Sequence, residues 1–162
     1  MAVFKLHLDE FDEVDYELIA IHSSLEDYRM AYFLNQNLSI ILSKSKQHIS
    51  VASREGEAHF SKFTFDDLKN DLQWNLIQNK NEIITSKTIS GQDLFLNTTM
   101  EVTTNVFLIP ELKKVDYFLK IENPNNSFNV QDILKKIHTI TKITTVYAVD
   151  PEKIKSKNNL IF

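Results

Sequence analysis

Glu111 and Asp116 are the residues whose type and spacing come nearest to a chemical site. Two carboxylates this close in sequence could share acid–base work or hold a hard cation. Their surroundings favour a structural role. Pro110 suits the first position of a helical turn, where its fixed φ is preset and its missing N–H is not needed. Glu111 would then lie beside the free N–H groups of that turn, where negative charge is favoured. Lys113 and Lys114 are close enough to pair with it. Asp116 falls on the opposite strand face from Val115 and Tyr117 and is expected to bond backbone or lysine. Tyr117 aligns with Leu119 and Ile121, so its ring is expected in the core with its hydroxyl partnered at the sheet edge.

The other chemical candidates are thinner. The five histidines are His7, His22, His48, His59 and His138, and no pair has the H-E-x-x-H spacing of a zinc hydrolase. Glu57 and His59 share a strand face but lack a third ligand nearby. His22 sits with Ser23 and Ser24 where a strand meets a helix, a position that often holds ligands in α/β folds. A Ser–His nucleophile there would lack G-x-S-x-G, and both serines have the spacing of caps. With two glycines in the chain, neither a Walker A loop nor a dinucleotide loop can be built. Phe60, Phe63, Phe65 and Trp74 could stack single-stranded bases. Only Lys62 and Lys69 lie among them, so core or a protein-contact surface is the better reading. No cysteine is present, which removes disulfides, thiol nucleophiles and cysteine zinc sites and suits a reducing compartment.

These residues need elements to place them. Val14 to His22 reads as a strand, apolar on both faces past Glu17, as a covered central strand would be. Ser23 and Ser24 precede Glu26 and Asp27 at capping-box spacing. The helix they open is ringed by Leu25, Tyr28, Met30, Tyr32, Phe33 and Leu34, which predicts deep burial, with Asn35 or Asn37 ending it. Leu38–Leu42 and His48–Ala52 read as strands, with a turn at Arg54–Glu57. Ala58–Phe65 and Leu72–Gln78 read as a hairpin about Asp66–Asp71. Glu82–Ile89 is β-like and breaks at Ser90-Gly91. Residues 93–105 favour strand or exposed loop through their threonines. Asn105 to Ile109 is a strand into Pro110, and Val115 to Ile121 is the next. After the loop 122–127, Asn129 caps a helix with Val130, Ile133, Leu134, Ile137 and Ile140 on one face. Asp132 and Lys136 form an i,i+4 pair on it. Ile143–Val149 is the last strand, stopped by Asp150-Pro151.

Ile109-Pro110-Glu111 and Val115-Asp116-Tyr117, three residues apart, carry a family resemblance. The stretch resembles the IPExxxVDY family, a set of small bacterial proteins, and all six fixed positions are present. That family brings no assigned activity, so the resemblance implies no catalytic residues. Val14-Asp15-Tyr16-Glu17-Leu18 shares V-D-Y-x-L with Val115 to Leu119, and both lead through a strand to a capped helix. In each case a second strand begins fourteen residues past the cap. Two strand–helix–strand units of this size suit the split βαβ, ferredoxin-like plan. A chance match of four letters in five is the competing reading.

The chain has 162 residues, 43% hydrophobic and 25% charged, with a net charge of −4 and a pI of about 5.7. That length suits a single domain. The expected fold is α+β: an antiparallel-dominated sheet with two main helices. The units would be 14–44 and 109–150, around a β-hairpin-rich insertion at 45–108, with a tail at 151–162. The acid balance argues against a DNA binder. The N-terminal residues lack a signal-peptide pattern, and no apolar stretch reaches the roughly 18 residues of a membrane span. A cytoplasmic protein is expected, with no cofactor and no metal. The leading function is a non-catalytic protein-binding or regulatory module, acting on a protein partner or as a homodimer. The binding candidates are Glu111, Asp116, Tyr117, His22 and Trp74. One alternative is an RNA-associated accessory protein using the Phe60–Trp74 hairpin and the basic tail. The other is an enzyme using Glu111, Asp116 and His22.

Overall fold

A computed structural model describes residues 15–88 and 99–162 of the chain. In order the elements are β1 (Tyr16–Ser23), α1 (Asp27–Leu38), β2 (Ser43–Lys44), β3 (Ile49–Ser53), β4 (Gly56–Phe60), β5 (Lys62–Asp67) and β6 (Leu72–Gln78). There follow β7 (Lys80–Thr88), β8 (Thr99–Phe107), β9 (Tyr117–Glu122), α2 (Val130–His138) and β10 (Ile143–Val149). Single 3-10 turns occupy Pro110–Leu112, Pro151–Lys153 and Lys157–Leu160. The main sheet has six strands in the order β10-β1-β9-β6-β5-β2, and every neighbouring pair is antiparallel. β3 with β4 and β7 with β8 form separate two-stranded ribbons. The fold is therefore α+β. Among the described residues, no helix is long and apolar enough to cross a membrane.

The main sheet is covered on both faces, and β1 shows why its sequence is continuously apolar. Leu18, Ile19, Ala20 and Ile21 are all completely buried. Successive side chains of a strand point to opposite faces. Ile19 and Ile21 join Met30 and Leu34 of α1 and Ile137 of α2 in one core. Leu18 and Ala20 join Phe60 of β4, Leu108, Ile109, Ile154 and Leu160 in a second core on the opposite face. Burying one such aliphatic side chain contributes roughly 1.5–3 kcal/mol. α2 keeps its expected start, since the Asn129 side chain accepts the Gln131 N–H at 3.0 Å. The β10 bounds are those read from the sequence.

Other local readings are corrected. α1 starts at Asp27 behind Glu26, with no side-chain cap. The Ser23 hydroxyl instead accepts the Leu25 N–H and donates to the Lys142 carbonyl. Deep burial on all sides of α1 does not occur: Tyr28 and Tyr32 are 60% and 57% exposed. The helix runs past Asn35 and Asn37 and ends at Ser39 in the left-handed region, φ 53°. Leu38–Leu42 is not a strand, because the Asn35 side chain takes both backbone groups of Leu42. A strand needs those groups for its ladder. Ala58–Phe60 pairs with β3, so only Lys62 onward forms the hairpin with β6. On α2 the ion pair of Asp132 is with Lys135 at 3.9 Å, not with Lys136.

The V-D-Y-x-L letters do not mark equivalent places. Tyr16 and Leu18 belong to the core away from the helices, while Tyr117 and Leu119 belong to the helix-side core. β1 and β9 are antiparallel neighbours with Ile21 beside Tyr117, so the two copies start at opposite ends of one ribbon. The unit that closes within the sheet is β9–α2–β10, whose strands flank β1 on either side. The expected first unit appears as β1–α1–β2, but β2 is only Ser43–Lys44 and is separated from β1 by three strands, at the far edge of the sheet. The strand that β9 holds parallel to β1 is β6, from the stretch assigned to the insertion. The expectations for residues 1–14, for the break at Ser90-Gly91 and for 93–98 lie outside the described residues.

Candidate functional site

The motif loop is assembled around a residue the sequence did not single out. Asn79 lies between β6 and β7 and is completely buried. Its Nδ2 donates to the carbonyls of Leu112 at 2.9 Å and Val115 at 2.8 Å. Its Oδ1 accepts the Ile109 N–H at 2.9 Å. Its own N–H donates to the Asp116 carbonyl at 2.9 Å, and its carbonyl accepts the Leu108 N–H at 2.8 Å. Five hydrogen bonds thus hold residues 108–116 to one side chain and its backbone. A buried amide is stable only when its donors and acceptors are filled, and here they are. An asparagine between two strand-like runs reads as a turn residue, so nothing in the sequence announced it.

The motif residues divide by role. Ile109 and Val115 are buried in the core opposite the helices. Pro110 opens the 3-10 turn, whose N–H of Leu112 donates to the Ile109 carbonyl. Asp116 donates its N–H to the Ile21 carbonyl, and its Oδ2 accepts the Ser23 N–H at 2.8 Å. Tyr117 is buried, and its hydroxyl donates to the Leu25 carbonyl at 2.6 Å. Burial, with help from the charges of Asp27, Asp116 and Glu26, pushes the Tyr117 phenol well above its usual value of 10.0. Glu111 is exposed, and its Oε1 accepts from the Ser156 hydroxyl at 2.7 Å. The motif therefore ties the loop to β1, to the start of α1 and to the tail.

The three candidate catalytic groups do not meet in one cleft. His22 and Glu111 line an open cleft of about 480 Å³ with Lys113, Lys114 and Tyr147. His22 Nε2 lies 3.2 Å from the Tyr147 hydroxyl. Asp116 lines a separate cleft of about 220 Å³ with Ser23, Ser24 and Tyr117. The split follows from strand pleating and from the Ser23 N–H, which turns the Asp116 carboxylate toward the helix start. Of the two serines beside His22, Ser23 is buried with its hydroxyl already bonded, and Ser24 is exposed beside Asp116 in the second cleft.

Trp74 is 4% exposed and faces the helix-side core, packing edge-on against Phe128. It is core and has no surface to bind with. Phe60 and Phe63 are buried as well, so three of the four rings that could stack bases are inside. His59 is exposed and shares a hydrogen bond with Ser50, and among the described residues no group of three metal-binding side chains occurs. A second unforeseen polar group is Lys120 of β9, 4% exposed. Its Nζ donates to the Leu160 carbonyl at 2.7 Å and to Glu122, and lies 4.8 Å from the ring centres of both Tyr16 and Phe162. This cage pins the tail across the sheet. Burial, and after it the charge of Glu122, raises the Tyr16 phenol above its usual value. The chain was compared with protein-family models and with curated protein sequences, and no family model and no curated sequence matches it.

Proposed function

We propose that the protein is a non-catalytic, cytoplasmic binding module that receives a protein strand at the outer edge of β10. The observation that carries this reading is the contrast between the two edges of the main sheet. β10 offers Ile143 to Val149 with neither a charge nor a proline, and Thr144, Thr145 and Ala148 are exposed along it. Among the described residues, no strand pairs with its outer side. The other edge is the two-residue β2 with Lys44, followed by β5 with Lys62, Asp66 and Asp67. Short, charged strands are how proteins guard an edge against pairing. An edge left unguarded is suited to strand addition, in which main-chain hydrogen bonds supply affinity and alternate side chains supply choice.

The motif supports a binding module over an enzyme, since Asp116 and Tyr117 are engaged in holding the loop and the α1 start. Membership of the IPExxxVDY family belongs to the same proposal, resting on the six letters from Ile109 to Tyr117. RNA association loses its support with Trp74, Phe60 and Phe63 in the core.

The test uses tagged wild-type chain and a Thr145→Lys/Ala148→Lys variant, both drawn from cell extract. Both sites are exposed, so the fold should survive, as a thermal melt would verify. Wild type is expected to retain a specific protein, its own untagged chain included, and the variant to lose it. Equal retention by both, or none by either, rules the reading out.

A further inference from the structure

We propose that the occupant of the β10 edge is β10 of a second copy of this chain, the two strands running antiparallel about a two-fold axis beside Tyr147. The inference rests on the edge reading above and names its partner. Pairing with β1 is regular from Thr145 to Val149. Beyond it His22 faces Thr145 while Ser23 faces Ile143, which leaves Thr144 as the extra residue of a bulge. The regular outer ladder is therefore five residues long, and its centre is Tyr147. Antiparallel pairing about that centre sets Tyr147 beside its symmetry mate, Val146 across from Ala148 and Thr145 across from Val149. Every one of these pairs is free of charge, so none sets like charges opposite each other.

The ends of the strand decide its polarity. Lys142 is exposed just before β10, and Asp150 and Glu152 are exposed just after it. Antiparallel strands bring the Lys142 end of each copy to the Asp150–Glu152 end of the other, and the two-fold repeats the match. Parallel strands would set Lys142 beside Lys142 and Asp150 beside Asp150. A self-complementary patch of this kind is what a two-fold interface requires. Asp150 already lies 3.7 Å from Lys153 in its own chain, with the two side chains 46% and 83% exposed. An ion pair that open is weak and competes little. At the centre, the hydrogen bond between Tyr147 and His22 orients the phenol before the second copy arrives. The paired tyrosines then add a cross-strand aromatic contact on the face away from the helices.

Sedimentation over a range of concentrations tests this with wild type, Lys142→Glu, Asp150→Lys/Glu152→Lys and the variant carrying all three changes. Wild type is expected to dimerise. Lys142→Glu alone should weaken the dimer about tenfold, and the triple charge reversal should recover most of that loss. All altered sites are exposed, and circular dichroism checks that each variant is folded. Wild type that stays monomeric, or a dimer indifferent to Lys142→Glu, overturns the proposal. The two readings fail separately. A monomeric wild type that loses a captured foreign protein on Thr145→Lys/Ala148→Lys ends the homodimer but keeps the edge. A dimer untouched by that double change ends both.

Discussion

The Nδ2 of Asn79 donates to the carbonyl of Val115 at 2.8 Å, across 36 residues of chain, in a place with no access to water. That bond joins the β6–β7 junction to the end of the motif turn, two residues before β9 begins. Because the same side chain also binds Ile109 and Leu112, the motif turn has one shape rather than several.

Asn79→Ala should therefore be among the most damaging single changes in the protein. It strands the Ile109 N–H and the Val115 carbonyl, each costing about 1–3 kcal/mol when buried without a partner, while the Leu112 carbonyl keeps the Val115 N–H. A total loss of about 3–5 kcal/mol is expected in urea unfolding. Asn79→Asp should be no rescue, since it keeps the acceptor but removes both donors and adds a buried charge.

Tyr117 separates ring from hydroxyl. Tyr117→Ala should cost about 3–5 kcal/mol through the cavity it leaves. Tyr117→Phe should cost about 1–3 kcal/mol, because the Leu25 carbonyl then lacks its donor. A loss below about 1 kcal/mol for Tyr117→Ala would mean that the ring does not carry the core.

The raised phenol of Tyr117 also predicts a pH dependence. The unfolded tyrosine ionises near its ordinary value of 10.0, while the folded one holds its proton to higher pH. Above that ordinary value the unfolded chain binds fewer protons than the native one, so stability falls as pH rises. Below it this group contributes no slope. Denaturation followed from pH 8 upward should show the decline in wild type and a shallower one in Tyr117→Phe.

Asp116→Asn keeps an oxygen for the Ser23 N–H and should cost under about 1 kcal/mol, whereas Asp116→Ala should cost about 1–2 kcal/mol. A catalytic carboxylate would behave otherwise, with any activity of the protein lost in the Asn variant at unchanged stability.

Lys120→Met keeps the length of the side chain but removes the donor to the Leu160 carbonyl and the cation between Tyr16 and Phe162. Faster hydrogen exchange and proteolysis confined to residues 155–162 are expected, with a loss of about 1–3 kcal/mol in overall stability. Protection unchanged in that segment would show that the apolar contacts of Ile154 and Leu160 suffice to hold the tail.

By itself the sequence determined whatever depends on near neighbours. The apolar run from Leu18 to Ile21 specified a central strand covered on at least one face, Asn129 specified the start of α2, and Asp150-Pro151 specified the end of β10. Periodicity and capping are local, and the structure follows them. Tertiary structure decided the rest, because it turns on which distant groups share a hydrogen bond or a face. Asn35 took the backbone of Leu42 and removed a strand whose letters were sound. One change of strand parity sent Tyr16 and Tyr117 to opposite cores despite matching letters. Trp74 and Phe63 went inside because β5 and β6 join the main sheet rather than stand apart from it, and Phe60 because the β3–β4 ribbon packs on the core opposite the helices. Asn79 and Lys120, both polar and both buried, read as surface residues until the chain brought their partners to them. The place of β10 at the edge of the described sheet belongs to the same class: its lack of charge is written in the sequence, but only the strand order makes it an edge among the described strands.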